Sequence, residues 1–205
     1  MSQPSIPVLA IRRLRMGTDG DGIRTLIGTI GCPLRCRYCL NPQSWDGTCP
    51  TKVYTPKQLY DEISVDNLYF QATGGGITLG GGEPLLHMDA IAEFAALCPK
   101  EWSLWIETSL NVPSENVVKA SGVFHHFVVD IKTTVPTIYS AYTGGEFEPV
   151  WQNLLILKAL IGSERITVRL PLIPGFVDDA IRTQSIAMLS EVGFINVDMF
   201  SYFIP

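Results

Sequence analysis

The residues of this sequence with the most evident chemistry are three cysteines in the segment TIGCPLRCRYCLNP (29–42). Cys32, Cys36 and Cys39 have the spacing C-x3-C-x2-C, which lets one loop surround a compact metal centre, as in iron–sulfur proteins. A four-iron cube bound by three thiolates keeps one iron open to a substrate, much as catalytic zinc keeps one position free. Structural zinc completed by a distant histidine is the competing interpretation. The histidines available for it are His87, His125 and His126.

A second candidate motif is the glycine-rich run TLGGGEP (78–84). Glycines directly after a strand let a ligand approach the backbone closely. The carboxylate of Glu83, which follows them, suits an ammonium group. Glycine-rich turns occur in many folds, so this run alone predicts a binding turn without specifying its ligand.

An alternation of strands and helices must position these motifs. The predicted strands lie at 20–31, 76–82, 102–108, 125–132, 165–173 and 195–203, and the predicted helices lie at 55–63, 88–98, 114–121, 149–160 and 178–192. Alternation of this kind predicts an α/β fold with a parallel sheet covered by helices. Six units fall short of the eight in a closed barrel, which favours a partial (β/α)6 TIM-like barrel over a doubly wound sheet.

The candidate residues converge on one edge of that sheet. In parallel α/β folds, functional side chains collect in the loops after the carboxyl ends of the strands. The cysteines follow the first predicted strand and the glycine run follows the second. The later strands contribute Glu107, Thr108, Asp130, Lys132 and Arg169. The sequence therefore predicts one site, at the carboxyl edge of the sheet.

Composition narrows the class of protein. The chain has 205 residues, of which 46% are apolar and 17% charged, and its net charge is −5. A net negative charge argues against a nucleic-acid partner, because phosphate binding normally needs a basic surface. The N-terminus has no secretory pattern and no apolar run reaches membrane-spanning length, which predicts a cytoplasmic protein without membrane contact. Cytoplasmic thiols stay reduced, so the clustered cysteines are metal ligands or catalysts, whereas the isolated Cys49 and Cys98 are predicted to be small apolar residues.

Taken together, these motifs resemble the radical S-adenosylmethionine (SAM) superfamily. Within it, the sequence is similar to the activating enzymes of glycyl radical enzymes, of the pyruvate formate-lyase activase type. The similar segments are DGDGIRT (19–25), CRYCLNP (36–42), YFQATGGGITLGGGEP (69–84), VVDIKTT (128–134) and VRLPLIPGFVDD (168–179). The resemblance runs from about Asp19 to Ser201, and one radical SAM domain over residues 1–205 is expected.

The resemblance implies that Cys32, Cys36 and Cys39 bind one [4Fe–4S] cluster, whose open iron is chelated by the amino and carboxylate groups of SAM. Only 41 residues separate Cys39 from Gly81. That is too few for the ferredoxin-like insertion of some activases, so a single cluster is expected.

The resemblance also implies a set of SAM-binding residues. They are Tyr38 near the adenine, Gly81, Gly82 and Glu83 at the methionine amino group, and Asp130, Lys132 and Arg169 around the ribose and carboxylate. Glu107 and Thr108 resemble an Asp-Thr pair that is associated in the family with a monovalent cation, which is therefore a further expectation.

The sequence departs from the family pattern at several positions. Ser109 and Leu110 stand where the family has Asn-Gly, Gly80 replaces a hydroxyl residue, and Phe203 stands where a histidine is expected. These departures leave the expectation of SAM cleavage in place and weaken the assignment of the substrate.

The reaction implied by the resemblance is reductive cleavage of SAM to methionine and a 5′-deoxyadenosyl radical. That radical abstracts a hydrogen atom, in the activases from a glycine of a partner glycyl radical enzyme. A flavodoxin or ferredoxin is expected to supply the electron, under anaerobic conditions. Two alternatives stay open: a radical SAM enzyme that modifies a peptide or small molecule, and a non-enzymatic metal-binding or electron-transfer module.

Overall fold

Strand-forming segments alternate with helices along the chain, and the computed structural model, which describes residues 4–49 and 51–202, joins eight strands of that part into one sheet. The strands are β1 (Ile6–Met16), β2 (Ile23–Thr29), β3 (Lys52–Tyr54), β4 (Gly76–Gly81), β5 (Ser103–Thr108), β6 (His126–Asp130), β7 (Ile166–Arg169) and β8 (Val197–Asp198). Their order in the sheet is β3-β1-β2-β4-β5-β6-β7-β8. β2 and β4 to β8 run parallel to one another, which confirms the predicted set of parallel strands.

Helices connect most of the parallel strands. They are α1 (Pro56–Ile63), α2 (Asn67–Thr73), α3 (Met88–Leu97), α4 (Ser114–Ser121), α5 (Pro136–Thr143), α6 (Phe147–Ile161) and α7 (Asp179–Glu191). α1 begins with a capping box, in which Thr55 accepts a hydrogen bond from the Gln58 amide and the Gln58 side chain accepts one from the Thr55 amide. Among the described residues, no helix combines the length and the apolarity needed to cross a lipid bilayer.

The sheet sorts its side chains by the two-residue period of a strand. In β5, Leu104 and Ile106 are buried in the core, together with Phe94 of α3 and Val117 of α4. Glu107, between Ile106 and the strand end, has the opposite orientation and lines a cavity. One face of the sheet therefore packs against helices, while the other carries the polar groups.

Two strands and two helices lie outside the predicted elements. β1 pairs antiparallel with both β2 and β3, and so extends the parallel sheet at one edge. The second half of β1 carries three arginines at partly or fully exposed positions, which conceals the strand from a search for apolar runs. β3 has three residues and α2 has seven, too few for a clear period, while α5 is rich in Tyr, Ser and Thr.

A buried arginine aligns the strands at the edge opposite their carboxyl ends. The guanidinium of Arg24 donates to Thr78 Oγ1 at 2.7 Å, to the carbonyl of Ile77 at 2.6 Å and to that of Ser103 at 2.7 Å. Burial lowers the pKa of Arg24 to about 10, so it stays charged at neutral pH. These bonds connect β2, β4 and β5.

Candidate functional site

The carboxyl ends of the parallel strands surround a cavity of about 390 Å³. Its lining includes most of the residues predicted from sequence: Cys32, Cys36, Cys39, Gly81, Gly82, Glu107, Thr108, Asp130, Lys132 and Arg169. Tyr38 and Glu83, which the sequence also predicted for the site, are absent from that lining. The sequence analysis did not assign to the site several further lining residues: Leu34, Leu40, Asn41, Ser109, Asp198, Phe200 and Tyr202.

The cysteine loop, residues 31–40, is held by hydrogen bonds of its own backbone. The amides of Arg35 and Arg37 donate to the carbonyls of Thr143 and Tyr142, in the last turn of α5, at 2.8 and 3.0 Å. At the start of the loop, the Gly31 amide donates to the carbonyl of Ser44 at 2.6 Å. The protein therefore shapes this loop through main-chain contacts on two sides.

The buried surroundings of the loop govern the protonation of its cysteines. Burial raises the pKa of Cys32 to about 12. Burial also raises the pKa of Cys36, to about 11, although the nearby Lys132 ammonium lowers it. Both groups are thiols at neutral pH in the metal-free protein, so metal binding must release their protons.

The three cysteines line the same cavity. Within residues 4–49 and 51–202, no three His, Cys, Asp or Glu side chains are grouped so as to hold one metal ion. In an iron–sulfur cube, each thiolate binds a separate iron at its own corner.

The histidines required by the zinc interpretation are engaged elsewhere. His87 Nε2 lies 2.7 Å from the Ile30 carbonyl, His125 Nδ1 accepts from the Leu104 amide at 3.0 Å, and His126 Nε2 lies 2.8 Å from Thr167 Oγ1. None of them lines the cavity. The cavity thus brings together three thiols and no histidine.

The glycine turn after β4 lies directly against the cysteine loop. Gly81 has φ +98°, and a Cβ there would lie 2.7 Å from the Gly28 Cα atom. A Cβ on Gly82 would lie 2.3 Å from the Gly31 carbonyl oxygen. Glycine is therefore required at both positions, and it leaves the main chain of the turn facing the cavity.

Glu83 connects that turn to the end of β5. Its carboxylate, 1% exposed, accepts four hydrogen bonds, from Thr108 Oγ1 at 2.7 Å, Ser109 Oγ at 2.6 Å, the Ser109 amide at 2.8 Å and the Leu85 amide at 3.2 Å. Burial raises the pKa of Glu83, while the bonds from Ser109 and Thr108 oppose that shift. The side chain that the sequence assigned to an ammonium group is thus surrounded by donors of the protein itself.

Asp130 and Lys132 form an ion pair at the end of β6, in which the Lys132 side chain is buried and the Asp130 side chain is 33% exposed. Lys132 Nζ lies 2.9 Å from Asp130 Oδ2 and donates to the hydroxyl of Tyr202 at 3.1 Å. Burial lowers the pKa of Lys132, but Asp130 and Tyr202 outweigh it and raise the pKa overall. Asp130 Oδ1 is buried and accepts no hydrogen bond within the described residues. This atom is a free acceptor at the cavity wall.

Arg169 lies at the end of β7, paired in register with Asp130 of β6, and bridges two acidic residues. It donates to Glu107 Oε1 at 2.9 Å and to Asp198 Oδ2 at 3.2 Å. A Cβ on Gly80 would lie 3.3 Å from Glu107 Oε2. Gly80 therefore leaves room for the side chain of Glu107, which is longer than the aspartate of the family pattern. The two departures from that pattern, Gly80 and Glu107, are thus sterically compatible.

The monovalent cation expected near Glu107 and Thr108 is not supported. The carboxylate of Glu107 pairs with Arg169. The hydroxyl of Thr108 donates to Glu83 and accepts from the Leu110 amide at 2.9 Å. Glu107 Oε1 and Thr108 Oγ1, two of the oxygens that a cation would need, thus already have protein partners.

An aromatic group adjoins the cavity on the side of Cys36. The ring of Tyr38 lies 6.1 Å from that of Tyr142 and 6.2 Å from that of Phe176. Cys36 and Tyr202 pack against the same apolar cluster. The hydroxyl of Tyr142 is buried and has no partner within the described residues. Phe203, which stands where the resemblance expects histidine, lies outside the described residues.

Comparison with known proteins agrees with this geometry. The family model described as the radical SAM superfamily matches residues 26–183. A pyruvate formate-lyase-activating enzyme of Staphylococcus aureus (strain USA300) is 32% identical over 177 residues, which cover 80% of this chain and 68% of that protein. The (2S)-3-sulfopropanediol dehydratase activating enzyme of Klebsiella oxytoca is 27% identical, with 85% of this chain and 74% of that protein covered.

Solved structures share the fold. QueE from Escherichia coli superposes with a TM-score of 0.60 at 15% identity, over 97% of this chain and 84% of that one. The anSMEcpe structure with bound AdoMet gives a TM-score of 0.66 at 14% identity, over 85% of this chain and 50% of that one. Since the family model matches most of the chain, and an activating enzyme is similar over four fifths of it, the chain belongs to the radical SAM superfamily, as an enzyme of its glycyl-radical-activating type.

Proposed function

We propose that this protein reductively cleaves SAM at a single [4Fe–4S] cluster held by Cys32, Cys36 and Cys39, and abstracts a hydrogen atom from a glycine of a partner glycyl radical enzyme. The observation that carries this proposal is the cavity itself, in which three free cysteines of one loop face the charged residues at the ends of β6 and β7. The relatives named as activating enzymes support the choice of partner.

When bound, the cluster held by Cys32, Cys36 and Cys39 would supply one electron for reductive cleavage of SAM to methionine and a 5′-deoxyadenosyl radical. The chain's own residues prepare the site for this chemistry. The cysteine loop is fixed by the last turn of α5. The Lys132 ammonium offsets negative charge beside Cys36. The aromatic group supplies an apolar surface next to Cys36.

The remaining lining matches the functional groups of SAM. The turn at Gly81 and Gly82 presents main-chain groups to the cavity and suits the methionine amino group. Asp130 Oδ1, a buried acceptor that has no partner in the part of the chain that the structure describes, suits a ribose hydroxyl. Lys132 and Arg169 supply positive charge for the carboxylate. We assign Tyr38, with its aromatic neighbours, to the adenine side.

Two exposed side chains of the cavity lining suit a protein substrate. Leu40 is 81% and Phe200 36% exposed, and both line the cavity. Exposed apolar side chains beside a site favour contact with a protein partner. A protein segment that carries a glycine and contacts them would bring its hydrogen atom to the cavity.

The proposed reaction also sets its conditions. An iron without a protein ligand reacts with oxygen, so we place the enzyme in an anaerobic cytoplasm, with a flavodoxin or ferredoxin as electron donor. The second candidate is a radical SAM enzyme that modifies another peptide or a small molecule. The altered segment at 107–110, in which Ser109 binds Glu83, is the observation that favours it.

The test uses protein reconstituted with iron and sulfide under nitrogen. With SAM and dithionite, it is expected to form 5′-deoxyadenosine. A peptide from the glycine loop of the glycyl radical enzyme encoded nearest to it, deuterated at the glycine α-carbon, should transfer deuterium to that product. A cluster-loaded protein that forms no 5′-deoxyadenosine would refute SAM cleavage. Product without deuterium would favour the second candidate.

SAM binding is expected to be independent of monovalent cations, because Arg169 already neutralises Glu107. Replacing potassium chloride by choline chloride at equal ionic strength should change the SAM dissociation constant by less than about two-fold, since only a cation bound together with SAM would shift it by mass action. Anaerobic equilibrium dialysis measures this. A loss of affinity in choline that potassium restores would reinstate a cation site.

A further inference from the structure

Three buried hydroxyl groups connect α7 to the segment that follows β6. We call Thr133, Thr134 and Ser185 the hydroxyl cluster. Ser185 Oγ accepts from the Thr134 amide at 3.0 Å and from Thr134 Oγ1 at 3.2 Å, and it lies 3.4 Å from Thr133 Oγ1. All three residues are at most 5% exposed. Ser185 is therefore the point at which α7 holds this segment.

The residue next to the cluster has an unusual backbone. Lys132 has φ +68°, and the Thr133 amide donates to the Ile131 carbonyl at 2.8 Å across it. This bond closes a γ-turn of the rare, strained form around a side chain that is not glycine. Such a conformation persists only where the surroundings hold it in place.

The turn determines where the Lys132 ammonium lies. Lys132 is 7% exposed and lines the cavity, and its Nζ is shared between Asp130 Oδ2 and the Tyr202 hydroxyl. If the backbone relaxed to negative φ, the side chain would leave this direction. The position of the ammonium therefore depends on what fixes residues 133 and 134.

We propose that Ser185 is a positioning residue for SAM binding: its hydroxyl holds the strained turn, and the turn in turn aims Lys132 at the cavity. This inference rests on the proposed function. Ser185 itself does not line the cavity, so it acts only through Lys132.

α7 provides a matched control. Ser185 Oγ also donates to the Ile181 carbonyl, four residues earlier, at 3.0 Å. Thr183 Oγ1 makes the same kind of bond, to Asp179, at 2.7 Å, but it is exposed. Thr183→Ala therefore removes a comparable helix contact without touching the hydroxyl cluster.

The first arm of the test needs no cofactor. In hydrogen–deuterium exchange of the metal-free protein, Ser185→Ala should speed up exchange in residues 131–135, because the Thr134 amide loses its acceptor. Thr183→Ala should leave the exchange rate of this segment unchanged. Ser185→Cys, which keeps nearly the same volume, serves if the alanine variant does not fold. Unchanged exchange in this segment would overturn the proposal.

The second arm measures SAM affinity of the cluster-loaded protein. Loss of a hydrogen bond that positions Lys132 should weaken binding about five-fold in Ser185→Ala. In a Lys132→Met background the same change should have almost no effect, as a double-mutant cycle requires of residues that act through one another. Equal effects in both backgrounds, or faster exchange with unchanged affinity, would reduce Ser185 to a structural role. If the unmodified protein binds no SAM, the proposed function fails instead, and the exchange arm still decides whether Ser185 holds the turn.

Discussion

Replacing Cys36 with alanine is expected to leave the protein folded but unable to assemble its cluster. Cys36 is one of three thiols on the cavity wall, and a cube with two protein ligands has two open corners, from which iron is lost. Iron and sulfide per chain should fall to background after anaerobic reconstitution, together with the visible absorbance of the cluster. Circular dichroism should show an unchanged fold, because the main chain of the loop is held by bonds that do not involve the side chain.

Cys49→Ala is the matched control for this experiment. Cys49 is also a free thiol, but it lies outside the cavity, with its Sγ 3.2 Å from the carbonyl of Gln43. This variant should assemble the cluster in full. A Cys36→Ala protein with the iron content of the control would show that the ligand assignment is wrong.

Replacing Glu83 with alanine should separate SAM binding from cluster assembly. The change leaves buried donors of Thr108, Ser109 and Leu85 without their acceptor, and each unsatisfied group costs ~1–3 kcal/mol. The turn at Gly81 and Gly82 then loses its connection to β5. We expect a lower melting temperature, near-normal iron content, and SAM affinity weakened by about tenfold or more, which corresponds to ~1.4 kcal/mol.

Two further variants make this prediction specific. Ser109→Ala removes one hydroxyl donor to Glu83 and keeps the amide donor, so it should give a smaller loss of affinity. Glu101→Ala, which replaces an exposed acidic residue before β5, should change neither the melting temperature nor the SAM affinity. Full SAM affinity in a Glu83→Ala protein with a lowered melting temperature would mean that Glu83 supports the fold alone.

The sequence alone predicted the parallel part of the fold, because its strands are apolar on the helix-covered face and are separated by helices with a clear period. Helix bounds agree closely: the predicted 88–98 and 178–192 correspond to Met88–Leu97 and Asp179–Glu191. The last strands were predicted too long. β7 ends at Arg169 because Pro171 follows, and the ladder to β8 resumes only as an isolated bridge between Leu172 and Ser201.

The site was predicted less completely. Motif spacing placed the cysteines, the glycine turn and the charged residues at the carboxyl ends of strands, where the cavity lies. Motif spacing does not reveal pairing between side chains far apart in sequence, such as Glu83 with Ser109 or Arg169 with Asp198. For the same reason it did not predict that Glu83 and Glu107 have partners within the protein, and the cation that it expected near Glu107 is not supported. Phe200 and Tyr202 were missed because β8, at Val197–Asp198, is short and both residues lie beyond its end, where no strand pattern indicates their orientation.

The main-chain bonds that tie residues 31–37 to Ser44 and to the last turn of α5 have a consequence for how the enzyme matures. A loop with this support keeps its conformation without iron, so the chain can fold before iron and sulfide bind. Iron and sulfide are then inserted late, into a protein that has already folded. Small zinc domains differ, because they fold only when their ion binds. The apoprotein should accordingly accumulate intact in iron-starved cells and be activated without refolding.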